Sequence, residues 1–285
     1  MGGLLIFGVL DANSKGLSVE FSAAQALLIR HATLLALLLA ARMLWQGAGG
    51  TLWSRHPWLH ATRAFSMLGS GISFFVAFRH LPLADGYLVY FTAPFLTLLL
   101  ARIFLNERVP RAAWIWCATG FAGVLVALSP QLGQGDAGSL TGFAAAMLGT
   151  LFYAVNITIN RGLRMEAGIA RLILWPGVVG VLANAPFAAV HWVQPDALEW
   201  ARLIANGVLA GTAAVMLALA FRHATAARLA PFEFIALPWS VALDWAVFGN
   251  APEAAVILGG IIVVVACVMS ERAVKRGQAK PPGKT

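Results

Sequence analysis

Charge is scarce in this chain: of 285 residues, 11% are Asp, Glu, Lys or Arg, against the roughly 25% usual in soluble proteins. So few charges cannot cover a globule of this size with a water-facing surface, which excludes an ordinary soluble domain. Cysteine is nearly absent. Cys117 and Cys267 each lie inside an apolar run, so neither a disulfide nor a thiolate metal site is expected, and both read as small core residues. The phosphate-cradling Gly-x-x-x-x-Gly-Lys-Ser/Thr loop is missing; the nearest approach, Gly133 to Ser139, lacks the lysine. ATP is thereby excluded as a driver. Neither His-Glu-x-x-His nor Gly-x-Ser-x-Gly occurs, and no enzyme, cofactor or metal is expected. The opening Met1-Gly2-Gly3 turns apolar at Leu4 without the basic region of a cleavable signal peptide, so this stretch is expected to be a first, short span.

What the chain does have is apolar length. Hydrophobic residues make up 60% and the mean hydropathy is +0.78. A helix needs about 20 apolar residues to cross the hydrocarbon of a bilayer. Apolar runs predict spans over 2–17, 24–45, 59–78, 83–104, 113–129, 139–162, 171–191, 202–221, 228–248 and 254–270. A membrane barrel would instead show strands of about ten residues with alternating polarity. The fold class expected is therefore an all-α integral membrane protein of about ten transmembrane helices.

With the N-terminus in the cytoplasm, only Lys15, Arg30, Arg79 and Arg202 of the 20 basic residues fall on the outer side, leaving 16 inside. That asymmetry follows the positive-inside rule. It predicts a multi-pass protein of the plasma (inner) membrane with both termini cytoplasmic. The net charge of +8 then reflects topology and a basic tail near lipid headgroups, not nucleic-acid binding.

An internal repeat organises the spans. Ala77-Phe78-Arg79-His80 recurs as Ala220-Phe221-Arg222-His223, 143 residues later. At the same offset Asn13 aligns with Asn156, Ala84 with Ala227 and Phe91 with Phe234, while Pro94 meets Pro238 after a shift of one. Each half holds five spans, an odd number, so the second enters the bilayer upside down. The loop Phe104-Leu105-Asn106-Glu107-Arg108-Val109-Pro110-Arg111 corresponds to Phe248-Gly249-Asn250-Ala251-Pro252-Glu253, which has lost every cation. The organisation read is 1–130 as the first five-helix repeat, 139–271 as the inverted second, and 272–285 as a basic cytoplasmic tail. Inverted repeats enclosing a midplane site are the architecture of many secondary transporters.

Ten spans, the five-plus-five repeat and the stretch from Ala77 through Pro94 to the Phe104-Leu105-Asn106-Glu107-Arg108 loop together resemble the drug/metabolite transporter superfamily, in its EamA-type ten-helix branch. Within it the chain looks most like the YddG-type aromatic amino acid exporters. The resemblance implies an inverted basket around a central cavity and export of amino acids or other metabolites.

Several residues are candidates for that site. Tyr87, Tyr90, Phe91 and Pro94 follow i, i+3, i+4, i+7 spacing and share one face of the fourth span. Pro94 and Pro238, mid-span in equivalent helices, are expected to kink them, through packing or as gating elements. Glu233, Ser240 and Asp244 form a polar stripe on the ninth span; an acidic residue at such a position marks a substrate or proton path, or an edge ion pair with Arg222 or Arg228. Tyr153, Asn156 and Asn160 share a face of the sixth span, the asparagines serving either a substrate carboxylate or hydrogen bonds between helices. Ser66, Ser70 and Ser73 line the third span and Gly207 and Gly211 the eighth, as small-residue packing or, for the serines, as substrate contacts. Arg79 and Asp85 flank the outer turn as a gate pair or a solvated pair. Trp239, beside Pro238, either lines the cavity or packs.

The function expected is a secondary transporter exporting amino-acid-like solutes with apolar or aromatic side chains by alternating access, with protons as an optional partner and a monomer sufficient. Export of cationic drugs, an intramembrane enzyme and a non-transporting scaffold are the rivals.

Overall fold

The computed structural model describes residues 2–45, 47–54, 56–104, 110–132, 137–162, 169–223 and 236–279. Among the described residues eleven helices run in chain order: α1 Gly2–Ser18, α2 Ala23–Leu44, α3 Pro57–His80, α4 Leu83–Tyr90, α5 Ala93–Phe104, α6 Arg111–Leu132, α7 Ala137–Gly162, α8 Ile169–Val190, α9 Ala197–His223, α10 Ala236–Phe248 and α11 Ala254–Ala279. No strand occurs among the described residues. Five segments, Ala23–Leu44, Pro57–His80, Leu83–Phe104, Ser139–Ile159 and Ala170–Val190, are long and apolar enough to cross a bilayer. The chain is an all-α integral membrane protein.

Helix ends follow local chemistry. Ser22 caps α2 by accepting from the Gln25 amide at 3.2 Å, and Pro57 opens α3, where its missing N–H costs nothing. Before α9 the Asp196 carboxylate accepts from the Glu199 amide, and the Glu199 carboxylate from the Asp196 amide, both at 2.7 Å. This reciprocal box satisfies two otherwise orphaned donors. Between α2 and α3, Gly49 holds φ +75° and its carbonyl accepts from the Ala170 amide at 3.0 Å, docking the connection onto α8.

The pairing of helices shows the repeat. α6 packs on α11, α2 on α8 and α4 on α10, each a helix against its own counterpart five spans later. α3 packs on α7 and α1 on α9, third span with sixth and first with eighth. Exchanging the two halves turns one of these last pairs into the other and leaves the first three unchanged. That is the contact map of a two-fold pseudo-axis, and because each half has five spans the axis lies in the membrane plane. Both termini then share one face, called here the near face; the α1–α2, α3–α4 and α10–α11 turns lie on the far face.

The fourth span departs from expectation. A kink at Pro94 was anticipated; the helix is instead interrupted at Phe91–Thr92, with Pro94 in the first turn of α5. Proline suits a first turn because it has no N–H to donate there. The interruption rotates Pro94 off the face of Tyr87 and Phe91: those two are buried, whereas Pro94 is exposed, as is Pro238 in the first turn of α10. Backbone groups freed at the break find partners. The Phe95 and Leu96 amides donate to the Thr92 carbonyl at 3.0 and 3.1 Å, the Thr92 hydroxyl donates to the Val89 carbonyl at 2.7 Å, and the Cys267 thiol on α11 donates to the Phe91 carbonyl at 3.4 Å.

Close approach of helices rests on small residues, which membrane interfaces favour. Gly207 and Gly211 pack on α2 as their spacing implied, with the Arg30 carbonyl 3.0 Å from where a Gly207 Cβ would stand. A Cβ on Gly259 would stand 2.5 Å from the Gly123 carbonyl oxygen, so α6 and α11 touch backbone to backbone. Gly259→Val is therefore expected to lower stability by about 1–3 kcal/mol through overpacking, read as an earlier melt in detergent, whereas Ile261→Val on the exposed face of the same helix leaves the melt unchanged.

Candidate functional site

Only 3 tyrosines occur in the chain, and the fold gathers all of them. Tyr87 and Tyr90, from the last turns of α4, meet edge to face at 6.0 Å between centroids, and Tyr90 lies 4.9 Å from Tyr153 of α7. Phe78 stacks on Tyr87 at 6.4 Å, and Phe74 meets Tyr90 at 6.1 Å from α3. Phe91 completes the group at 6.0 Å from Tyr90. Four of the expected site residues thus stand together at the break in the fourth span, beside the axis that relates the halves. Interrupted helices at depth are where transporters of this architecture hold their solutes.

The cluster ends in a charge that the sequence reading missed. The Tyr87 hydroxyl donates to the Asp11 carboxylate of α1 at 2.6 Å. A carboxylate within a span is expensive unless it is bonded or used. Close by, Arg30 of α2 donates from Nε to the Asn206 side-chain oxygen at 2.5 Å and from Nη2 to the Ser14 hydroxyl at 2.9 Å, and Asn206 Nδ2 reaches the same hydroxyl at 2.9 Å. Arg30 thus does not face the outer solvent, as its place in the charge count implied; it is held between α1, α2 and α9. Asp11, Ser14, Lys15 and Ser18 follow i, i+3, i+4, i+7 spacing. That stripe was the signal for a polar inner face on α1.

The matched asparagines behave as repeat mates. Asn13 Nδ2 donates to the Arg202 carbonyl of α9 at 2.9 Å, and Asn156 Nδ2 to the Arg63 carbonyl of α3 at 3.3 Å. Each ties the first helix of one half to the third of the other, on opposite faces. Arg63 aligns with Asn206 at the 143-residue offset; it is buried and donates from Nη2 to the Leu172 carbonyl at 3.1 Å.

Other expected residues stand apart from the tyrosines. Trp239 donates from Nε1 to the Leu5 carbonyl at 3.0 Å and stands close against Gly8, so it packs α10 on α1. Ser73 sits against Gly149 in the α3–α7 contact, and Ser70 is partly buried on the same helix. Arg79 is exposed, but Asp85 is 3% exposed, which rules out the solvated-pair reading: the first turn of α4 carries Asp85 inward. Glu233 lies outside the described residues. Ser240 and Asp244 of the same stripe are buried as expected, with Asp244 accepting from Lys15 Nζ at 2.7 Å. No group of three metal-ligating side chains occurs among the described residues. A cleft of ≈ 340 Å³ opens on the far face, lined in part by Asp85, Asp244, Asn250 and Glu253.

An inverted helical bundle with a polar and aromatic centre at a broken helix defines a membrane carrier of small solutes, and comparison with known proteins bears this out. No protein-family model matches the chain. It is 30% identical to the riboflavin transporter of Rhizobium johnstonii over 235 residues, 80% of this chain and 74% of that one. It is 28% identical to the pseudopaline exporter CntI of Pseudomonas aeruginosa over 275 residues, 94% and 93% of the two chains. The S-adenosylmethionine uptake transporter of Rickettsia conorii is 25% identical over 75% of this chain and 71% of its own. A solved crystal structure superposes with a TM-score of 0.66 over 97% of this chain and 98% of the other at 19% identity, a likeness of fold alone. The chain belongs to the family of small-molecule membrane transporters that includes the Rhizobium riboflavin transporter, in keeping with the drug/metabolite transporter type and not with an enzyme.

Coupling between Asp11 and Tyr87 is measurable. Tyr87→Phe keeps the ring and deletes the hydroxyl, leaving the carboxylate short of a donor at a cost of about 1–3 kcal/mol. In a double-mutant cycle with Asp11→Ala, followed by thermal melting in detergent, the two losses are expected to fall short of additivity by about 1 kcal/mol or more.

Proposed function

We propose that this transporter exports amino-acid-like zwitterions with apolar or aromatic side chains across the plasma membrane by alternating access, with both termini in the cytoplasm. The single observation that carries the reading is the tyrosine cluster at the broken fourth span, running into the Asp11 carboxylate. Aromatic faces there suit an apolar or aromatic side chain. Asp11 suits an ammonium group, and the Arg30–Asn206 pair on the adjoining helices suits a carboxylate. Two pseudo-equivalent halves supply two states of similar energy, which alternating access requires.

The relatives leave the cargo open, since their names carry three different solutes. Export is favoured by the relative named as an exporter, which aligns over 94% of this chain. The cytoplasmic placement of the termini is favoured by the sequence, in which 16 of 20 basic residues fall in stretches expected on the same side as the termini.

Counterflow in proteoliposomes tests the cargo. Phenylalanine, tyrosine, tryptophan and leucine are expected to drive counterflow, Asp11→Asn to cut it by about tenfold or more if the carboxylate binds the ammonium, and the exposed Trp53→Ala to leave it unchanged. Counterflow by hydrophobic cations in place of amino acids identifies a drug carrier and sinks the zwitterion reading. Orientation is tested separately in whole cells: a cysteine at Asn250 is expected to react with an impermeant maleimide added outside, and one at Gly47 to be protected.

A further inference from the structure

The two faces of an inverted repeat should be energetically alike unless something unmatched holds one of them, and the far face carries such a feature. Lys15, at the end of α1, places Nζ 2.7 Å from Asp244 Oδ1 of α10 and 4.5 Å from the centroid of the Phe248 ring. Asp244 is 2% and the Lys15 side chain 13% exposed. The same carboxylate accepts from the Ala84 amide in the first turn of α4 at 3.2 Å and from Asn250 Nδ2 at 3.2 Å. One carboxylate therefore ties together α1 and α4 of the first half with α10 and the α10–α11 turn of the second. It forms part of the wall of the 340 Å³ cleft on that face.

Among the described residues, no equivalent pair stands at the matching positions on the near face. Lys15 aligns at the 143-residue offset with Thr158, and Asp244, at the shifted offset that pairs Pro94 with Pro238, aligns with Leu100. The Thr158 hydroxyl donates to the Ala154 carbonyl of its own helix at 2.8 Å. An ion pair on one face and a threonine and a leucine on the other cannot stabilise the two closed states equally.

We infer that Lys15 and Asp244 are the far-side gate of the transport cycle, and that their pairing tilts the equilibrium between the two access states toward closure of the far face. The pair must separate for α1 and α4 to part from α10. A partly buried pair is harder to open than a solvated one, because separation leaves Asp244 facing the Ala84 amide and Asn250 without its cation. At the aligned positions of the near face, Thr158 and Leu100 carry no such pair, so that face opens at lower cost and the resting protein presents the Asp11–tyrosine site toward the termini. This rests on the transport reading above and assigns to it residues other than those of the tyrosine cluster.

The test uses full-length protein in right-side-out vesicles carrying Ala12→Cys, a buried position beside Asp11, with background labelling of the unsubstituted protein, whose Cys117 and Cys267 are buried, subtracted. An impermeant maleimide is added from the far side. Lys15→Ala and Asp244→Asn are each expected to raise the labelling rate by roughly three- to tenfold, as a shift of about 1 kcal/mol in a two-state equilibrium does. The two changes together should add nothing to either alone, and Lys15→Arg, which keeps the charge, should label like the parent. Unchanged labelling in both single variants, or additive increases in the double variant, overturns the gate. Phenylalanine counterflow in the same vesicles judges the transport reading separately: its absence from the parent protein removes that reading, whereas the labelling ratios still decide whether the pair closes the far face. Asp244→Asn retains the shape of the side chain and its contact with the Ala84 amide, so the comparison survives should Lys15→Ala fail to fold.

Discussion

Hydrocarbon supplies no hydrogen bonds, and every polar group this chain carries into the bilayer has to find its partner within the protein. The consequences run through the whole structure. Helices satisfy the backbone, and where α4 gives way to α5 the freed carbonyls are taken up by Thr92, by local amides and by the thiol of Cys267. Side chains obey the same demand across helices. Asn13, Asn156, Arg30 and Lys15 each reach a partner on an element distant in sequence. The polar residues that a soluble protein would leave to water are here the ties between the two halves.

These ties are not all alike, and the differences separate structure from function. The two asparagines, repeat mates on opposite faces, bond backbone carbonyls of equivalent helices, and a bond to a carbonyl that moves with its helix can persist while the halves rock. The Lys15–Asp244 pair has no counterpart at the aligned positions Thr158 and Leu100. Between the two, the Asp11–Tyr87 contact joins α1 to the segment just ahead of the helix break, where a change in the register of α4 would be felt first. Symmetric bonds hold the bundle together, and the unsymmetric ones give its cycle a direction of rest.

Much of this was legible in the sequence because it depends on local quantities. Apolar length gave the spans, the recurrence of Ala77–His80 gave the offset between halves, and helical spacing set Tyr87 with Tyr90 on one face and Tyr153 with Asn156 on another. What was not legible depends on contacts between distant residues or on the balance of alternatives at one residue. Pro94 announces a disturbance, but its preference for a first turn moves the break three residues back, to Phe91–Thr92, and turns its own ring outward. Asp85 reads as a turn residue, yet the first turn of α4 buries it. Arg30 counts as an outer charge until Asn206, 176 residues away, is seen to accept from it.

Asp11 is the instructive omission. It is an acid in a span, which on physical grounds should outrank any aromatic as a sign of function. Its partner, Tyr87, lies 76 residues on in a different helix, so no spacing rule links them. The stripe Asp11, Ser14, Lys15 and Ser18 nevertheless repeats at helical spacing along the one helix that touches α2, α3, α4, α9 and α10. A first helix that contacts so much of the bundle and is polar along one side cannot present that side to lipid. It has to face inward, and each charge on it then meets either a partner or a solute. Lys15 meets Asp244, while Asp11, deeper by one turn, meets Tyr87 of the buried aromatic group. On the transport reading proposed above, the position of a charge along one helix, a single turn apart, divides holding the protein shut from holding what it carries.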